Sequence, residues 1–153
     1  MPAALFAAIY HNNDLEQVKA LLKDNPALIH SKASNCNKET PLHLAARRRC
    51  GDIVQFLLAN KANVEARSSE GRTPLHLAAM FSDANGRIIE LLLANKADIN
   101  SEDVVRKTPL YYADSRMGKL LKQRGAKEKA SDYASQQATA RLLQSVIDNL
   151  DRK

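Results

Sequence analysis

Thr73-Pro74-Leu75-His76-Leu77-Ala78-Ala79 decides the reading of this chain, because the same seven residues already stand at Thr40 to Ala46 and an altered copy follows at Thr108 to Asp114. The copies begin 33 and then 35 residues apart, and self-similarity at such a period marks an array of stacked supersecondary units. Within one copy, Thr73 and Pro74 predict the opening of a helix. The threonine hydroxyl can accept an orphan N–H of the first turn, and proline at the first helical position loses no donor that the helix needs. Leu75, Leu77 and Ala78 supply an apolar face, and the alanines let a neighbouring helix come close.

A second apolar run follows each complete copy, Ile53-Val54-Gln55-Phe56-Leu57-Leu58 and then Ile88-Ile89-Glu90-Leu91-Leu92-Leu93. Each run leads into nearly the same words, Ala59-Asn60-Lys61-Ala62-Asn63-Val64 and Ala94-Asn95-Lys96-Ala97-Asp98-Ile99. With these residues the chain resembles the ankyrin-repeat family, whose pattern runs Thr-Pro-Leu-His-Leu-Ala-Ala, a Gly-bearing turn, Ile-Val-x-Leu-Leu-Leu and Gly-Ala-Asp-Val-Asn. The resemblance implies an all-α solenoid of helix-turn-helix units joined by hairpin-like connections, with an extra C-terminal helix here. It covers about four fifths of the chain and departs from the family at two points. Arg106 stands where the hairpin glycine of the previous unit is Gly71, and the connection from His30 to Thr40 is two residues longer than its counterparts.

The repeat domain is expected over 1–126, with units at about 1–39, 40–72, 73–107 and 108–126. The first lacks the heptapeptide, as a terminal unit with one wet face can; Asn12-Asn13 forms its turn, and Asn25-Pro26 ends its second helix. The third carries two extra residues within Met80 to Gly86, expected in a loop, and the fourth is abbreviated. Residues 127–153 form a basic link and a helix that Ser131 could cap. Leu142, Leu143, Val146, Ile147 and Leu150 fall on one stripe of that helix. It is read either as a cover folding back over the shortened last unit or as a docking or self-association helix.

The chain has 153 residues, 44% of them hydrophobic and 26% charged, which is ordinary for one globular domain. No apolar run reaches the length of a membrane span. The N-terminus lacks the basic start of a secretory signal, and Cys36 and Cys50 have no disulfide-framework or metal-ligand spacing. An intracellular, cytoplasmic setting is expected, with export as a bacterial effector the alternative. The net charge of +6 is concentrated in residues 116–129, which alone carry +5. That run reads as a solvated helix face; the alternative is an electrostatic tether to nucleic acid or anionic membrane, which the lack of interleaved aromatics disfavours.

No phosphate-cradling glycine loop, nucleophile elbow or paired histidines on one helix face occurs, so no catalytic residue, metal or cofactor is assigned. His43 and His76 are read as structural, reaching back to Thr40 and Thr73. The resemblance implies protein binding along the concave side, through hairpin tips and first-helix ends. Mapped onto this chain, that surface comprises Arg47, Arg48, Arg67, Ser69, Glu70, Arg72, Met80, Phe81, Val104, Val105, Lys107 and Arg116. Arginines beside apolar side chains imply a partner with acidic and apolar groups. A small regulatory subunit or inhibitor of an enzyme is a further reading. The resemblance also marks Asn100 as a candidate for hydroxylation.

Overall fold

The computed structural model describes residues 2–35, 37–81 and 85–129, together with helical positions 138, 140–142, 144, 145 and 147. Among the described residues all regular structure is helical. The elements are α1 (Pro2–Ala7), continued by a π-helical turn Ala8–Asn12, then α2 (Leu15–Asp24) and a 3-10 turn Pro26–His30. There follow α3 (Pro41–Arg47), α4 (Gly51–Ala59), α5 (Pro74–Met80), α6 (Arg87–Ala94), α7 (Pro109–Tyr112) and α8 (Ser115–Gln123). Within each unit the two helices pack as a hairpin, and the first helices α3, α5 and α7 pack in sequence, as do α4 and α6. The loop residues Ser82 to Ala84 and the stripe residues Leu143, Val146 and Leu150 lie outside the described residues.

The apolar face foreseen for the heptapeptides is buried throughout. Leu42, Ala45 and Ala46, and Leu75, Ala78 and Ala79, join Ile53, Val54 and Leu57 and Ile88, Ile89 and Leu92 in one continuous core. The alanines sit where consecutive first helices press together, leaving no room for a larger side chain without strain. Gly86 has the opposite role, in that its missing side chain is itself a contact. A Cβ there would lie 2.5 Å from Leu120 Cδ2 and 3.3 Å from Met117 Sδ, so the fourth unit closes down on bare backbone.

Three fingers project from the helices. Each is closed by a backbone bond: Ala33 N–H to the Glu39 carbonyl at 2.8 Å, Ser68 to Arg72 at 3.0 Å, and Asp103 to Lys107 at 3.0 Å. The first is the enlarged one. Neighbouring fingers are tied sideways, Ser69 N–H donating to the Asn37 carbonyl and Val104 N–H to that of Glu70. Arg106 adopts φ 61°, close to the 70° of Gly71, so the third finger keeps the turn of the second despite its side chain. Lys61 and Lys96 likewise take φ 64° and 67° at the ends of α4 and α6, where the resembled pattern has glycine. There the N–H of Ala62 reaches the Leu57 carbonyl and that of Ala97 reaches Leu92, satisfying carbonyls that the helix end leaves open.

Candidate functional site

The two histidines organise the surface from which the fingers rise. His43 Nδ1 lies 3.2 Å from the Thr40 backbone nitrogen and 2.8 Å from its hydroxyl, while Nε2 lies 2.8 Å from the carbonyl oxygen of Arg72. A carbonyl can only accept, so Nε2 carries the proton and Nδ1 accepts from Thr40. His76 repeats the arrangement with Thr73 and the Lys107 carbonyl, at 3.1, 2.9 and 3.0 Å. Both rings are fully buried. Burial holds His43 neutral, with its pKa down at about 4, and lowers His76 as well. Each ring thus closes its own helix cap and reaches forward to the root of the next finger. Tyr111 takes this position in the last unit.

The finger roots Glu39, Arg72 and Lys107 occupy equivalent places, each directly before a helix-opening threonine. Glu39 is buried and pairs with Arg47 at 3.0 Å. Burial raises its pKa, with Glu70 adding to the rise, against the opposing pull of Arg47 and Arg72. Arg72 pairs with Glu70 and approaches Asp103 at 3.9 Å. It also lies over the Tyr112 ring at 5.0 Å. Asp103 is buried yet fully met: Tyr112 donates to it at 2.6 Å, and the N–H groups of Val105 and Lys107 at 3.0 and 2.9 Å. Burial pushes its pKa up, but these donors outweigh burial and hold it below the usual carboxylate range.

Arg47 thus pairs with Glu39 from nearby in sequence, while Glu70 and Arg72, 31 and 33 residues beyond that glutamate, come near enough to act on its carboxyl only through stacking. Arg67 braces the second and third fingers, donating to the carbonyls of Gly71 at 2.9 Å and Glu102 at 2.6 Å. Arg48 stands apart from this set. It donates to the Tyr10 carbonyl at 3.0 Å and lies over that ring, tying α3 to the N-terminal unit. Ser69 is spent, through its backbone, on the finger ladder. Lys107 lies over Tyr111 at 4.2 Å.

The open apolar points lie at the third fingertip and at the end of α5. Val104 and Val105 at the third fingertip are 67% and 61% exposed, and Phe81 at the end of α5 is 38% exposed, with Met80 half-buried beside it. Between the first finger and α1 lies a cavity of about 360 Å³ walled by Phe6, Ala7 and Leu44, with Glu39 and Arg47 at its polar side. Spacing had not singled out that cavity. It arises from the enlarged first connection, a length difference visible in sequence, but its walls depend on how α1 packs.

Three of the six cations in the basic run 116–129 are seen in ion pairs among the described residues, two of them with acids outside the run. Lys122 pairs with Glu128, Arg124 with Glu90 at 2.6 Å, and Lys129 with Glu102. Arg116 is exposed on α8. Asn100 Oδ1 accepts the Lys127 N–H at 2.8 Å, in register with Glu65, whose carboxylate accepts the Asp98 N–H at 2.8 Å. The side chain marked for hydroxylation thus carries an inter-unit bond. No group of three or more metal-ligating side chains occurs among the described residues, nor any helix long and apolar enough to cross a membrane.

Stacked helical hairpins, projecting fingers and histidines bridging cap to finger define a repeat protein of the solenoid class. A family model for ankyrin repeats in three copies matches residues 5–103. The chain belongs to the ankyrin-repeat family. Similar proteins include the serine/threonine-protein kinase VIK of Arabidopsis thaliana, 38% identical over 65 residues, and human Rabankyrin-5, 55% identical over 40 residues. A putative ankyrin repeat protein of Rickettsia bellii is 39% identical over 75 residues. These alignments span 42%, 26% and 47% of this chain but only 14%, 3% and 30% of the respective relatives. Ankyrin repeats are in general protein-interaction modules, typically without catalytic activity of their own.

Proposed function

We propose that the chain is a non-catalytic binding protein that grips a partner protein along the face formed by its fingers and first-helix ends. The observation that carries this reading is the combination of a fixed charged row and unfilled apolar points. Glu39, Arg47, Glu70, Arg72 and Asp103 hold one another in place, while Phe81, Val104 and Val105 are exposed above ordered backbone. Side chains already ordered lose little freedom on association, which favours affinity. The partner chemistry follows: apolar groups to cover the valines and Phe81, set beside polar groups that match a charged row whose arginines already face Glu39, Glu70 and Asp103. The pairs of Arg124 with Glu90 and of Lys129 with Glu102, both acids outside 116–129, leave the electrostatic tether with less free charge than its sequence offers.

Replacing Met80 and Phe81 together by alanine, and separately Val104 and Val105 by serine, tests the surface on captured partner. Loss of binding with unchanged helical circular dichroism is the expected result. Affinity retained in both variants would remove this face from consideration. Binding at about 150 mM salt that survives 500 mM fits the mixed interface, whereas collapse at high salt fits phosphate contacts along 116–129.

A further inference from the structure

Asn85-Gly86 is the only Asn–Gly pair in the chain, and it falls in the lengthened loop that joins α5 to α6. Asn85 is exposed in a turn, and Gly86 caps α6 at φ 67° and ψ 16°. Residue 86, itself buried, is held to glycine by packing, because a Cβ there would fall 2.5 Å from Leu120 Cδ2. The residue on which the fourth unit closes therefore has no side chain of its own to shield its backbone nitrogen from the neighbouring asparagine amide. That nitrogen donates no hydrogen bond among the described residues, while the Gly86 carbonyl accepts from Glu90 at 3.0 Å. Asn100-Ser101 offers a contrast within the same chain. Its serine is buried, the Ser101 N–H is held by the Asp98 carbonyl at 3.2 Å, and Asn100 Oδ1 accepts the Lys127 N–H at 2.8 Å. Amide and nitrogen are both engaged there.

We propose that Asn85 is a site of self-modification, a slow and one-way change of charge and backbone at the junction of the third and fourth units. The Gly86 nitrogen attacks Asn85 Cγ, and the bond from Cγ to the side-chain nitrogen breaks. The proton released from Gly86 passes through water to the departing ammonia, and a five-membered succinimide is left. Water then opens this ring at either of its carbonyls, giving aspartate or isoaspartate at position 85, so the net change is the hydrolysis of one amide with nothing oxidised or reduced. Either product sets a carboxylate two residues before Arg87, as a rival to the groups this arginine now holds, Asp52 at 2.9 Å and Gln55 at 3.2 Å. Isoaspartate also adds a methylene to the main chain directly before Gly86, the point on which Met117 and Leu120 bear, and so loosens the fourth unit from the third.

The test holds the native chain and Asn85→Gln, whose longer side chain closes a ring far more slowly, warm at neutral pH for several weeks. Ion-exchange chromatography, peptide mapping and methylation by an isoaspartyl methyltransferase follow the amides. An acidic form should accumulate in the native chain and not in Asn85→Gln, with the change mapped to position 85 and absent from position 100. An amide at 85 that stays intact in the folded chain while it converts in urea would overturn the proposal, since the fold would then protect it. Conversion at 100 as fast as at 85 would overturn it too, because the contrast in hydrogen bonding would count for nothing. In the separated isoaspartyl form, hydrogen exchange in α8 should speed up while α3 and α4 keep their protection. Unchanged exchange in α8 would overturn the loosening of the fourth unit.

Discussion

His43 donates from Nε2 to the carbonyl of Arg72, at 2.8 Å and 29 residues ahead in sequence. This bond ties the first helix of the 40–72 unit to that unit's last residue, directly before Thr73 opens the next, through a group that is also the keystone of its own helix cap. Replacing His43 by alanine leaves the Thr40 cap without its reciprocal partner and the Arg72 carbonyl short of a donor. A loss of about 2–4 kcal/mol in urea unfolding is expected. His76→Ala should behave alike, since its bonds are the same.

Acid should loosen the array through these two rings. A histidine whose folded pKa is depressed binds fewer protons folded than unfolded, so its stabilisation is full above about pH 6.5 and is lost as pH falls toward the folded value. For His43, with that value about 4, the loss across the window is about 3 kcal/mol. His76 acts in the same direction. Glu39 opposes them, because its raised pKa favours protonation in the folded protein. Urea midpoints between pH 7 and 4 should therefore fall in the native chain and fall less in His43→Ala.

Lys61, Lys96 and Arg106 hold left-handed backbone that costs a side-chain-bearing residue about 1 kcal/mol relative to glycine. Lys61→Gly and Lys96→Gly should each raise stability by about 0.5–1 kcal/mol, read from thermal and urea unfolding. Gly71→Ala should do the reverse: its Cβ would fall 3.0 Å from the Val104 backbone nitrogen at φ 70°, and the second and third fingers would be forced apart.

Tyr112→Phe removes one of three donors to the buried Asp103 carboxylate. A cost of about 1.5–3 kcal/mol is expected for a hydrogen bond to a charged group. The aspartate pKa should rise in the variant, bringing acid unfolding to higher pH; NMR titration of the carboxyl would read the shift directly.

Asn100→Ala breaks the bond to Lys127 and frees the strap that ends the repeat body. Hydrogen exchange at residues 126–129 should accelerate, with about 1 kcal/mol lost overall. Protection unchanged there would show the side chain to be dispensable.

Most of the fold was legible because a repeated heptapeptide fixes helix starts, apolar faces and period together. The histidine–threonine contact was legible too, being local. Its forward half, from Nε2 to the next finger, depends on stacking and has no local signal. Arg106 illustrates the limit from another side. Sequence marked it as a break in the finger pattern, yet sideways bonding of the fingers imposes the glycine conformation on it. For the binding surface, the residues at helix ends and tips could be listed, but not their separation into a locked row and an open set. Arg47 and Arg48 are neighbours in sequence, and only packing sends one to Glu39 and the other to Tyr10.

The forward reach of each histidine also sets a rule of growth. A copy of residues 40–72 spliced in before Thr73 would bring with it both the histidine and the carbonyl that histidine reaches, since His43 and Arg72 fall within one 33-residue word. Neither neighbour would need to change. The array can thus lengthen by duplication of a 33-residue word, and Tyr111 takes the histidine's place where no further finger follows among the described residues.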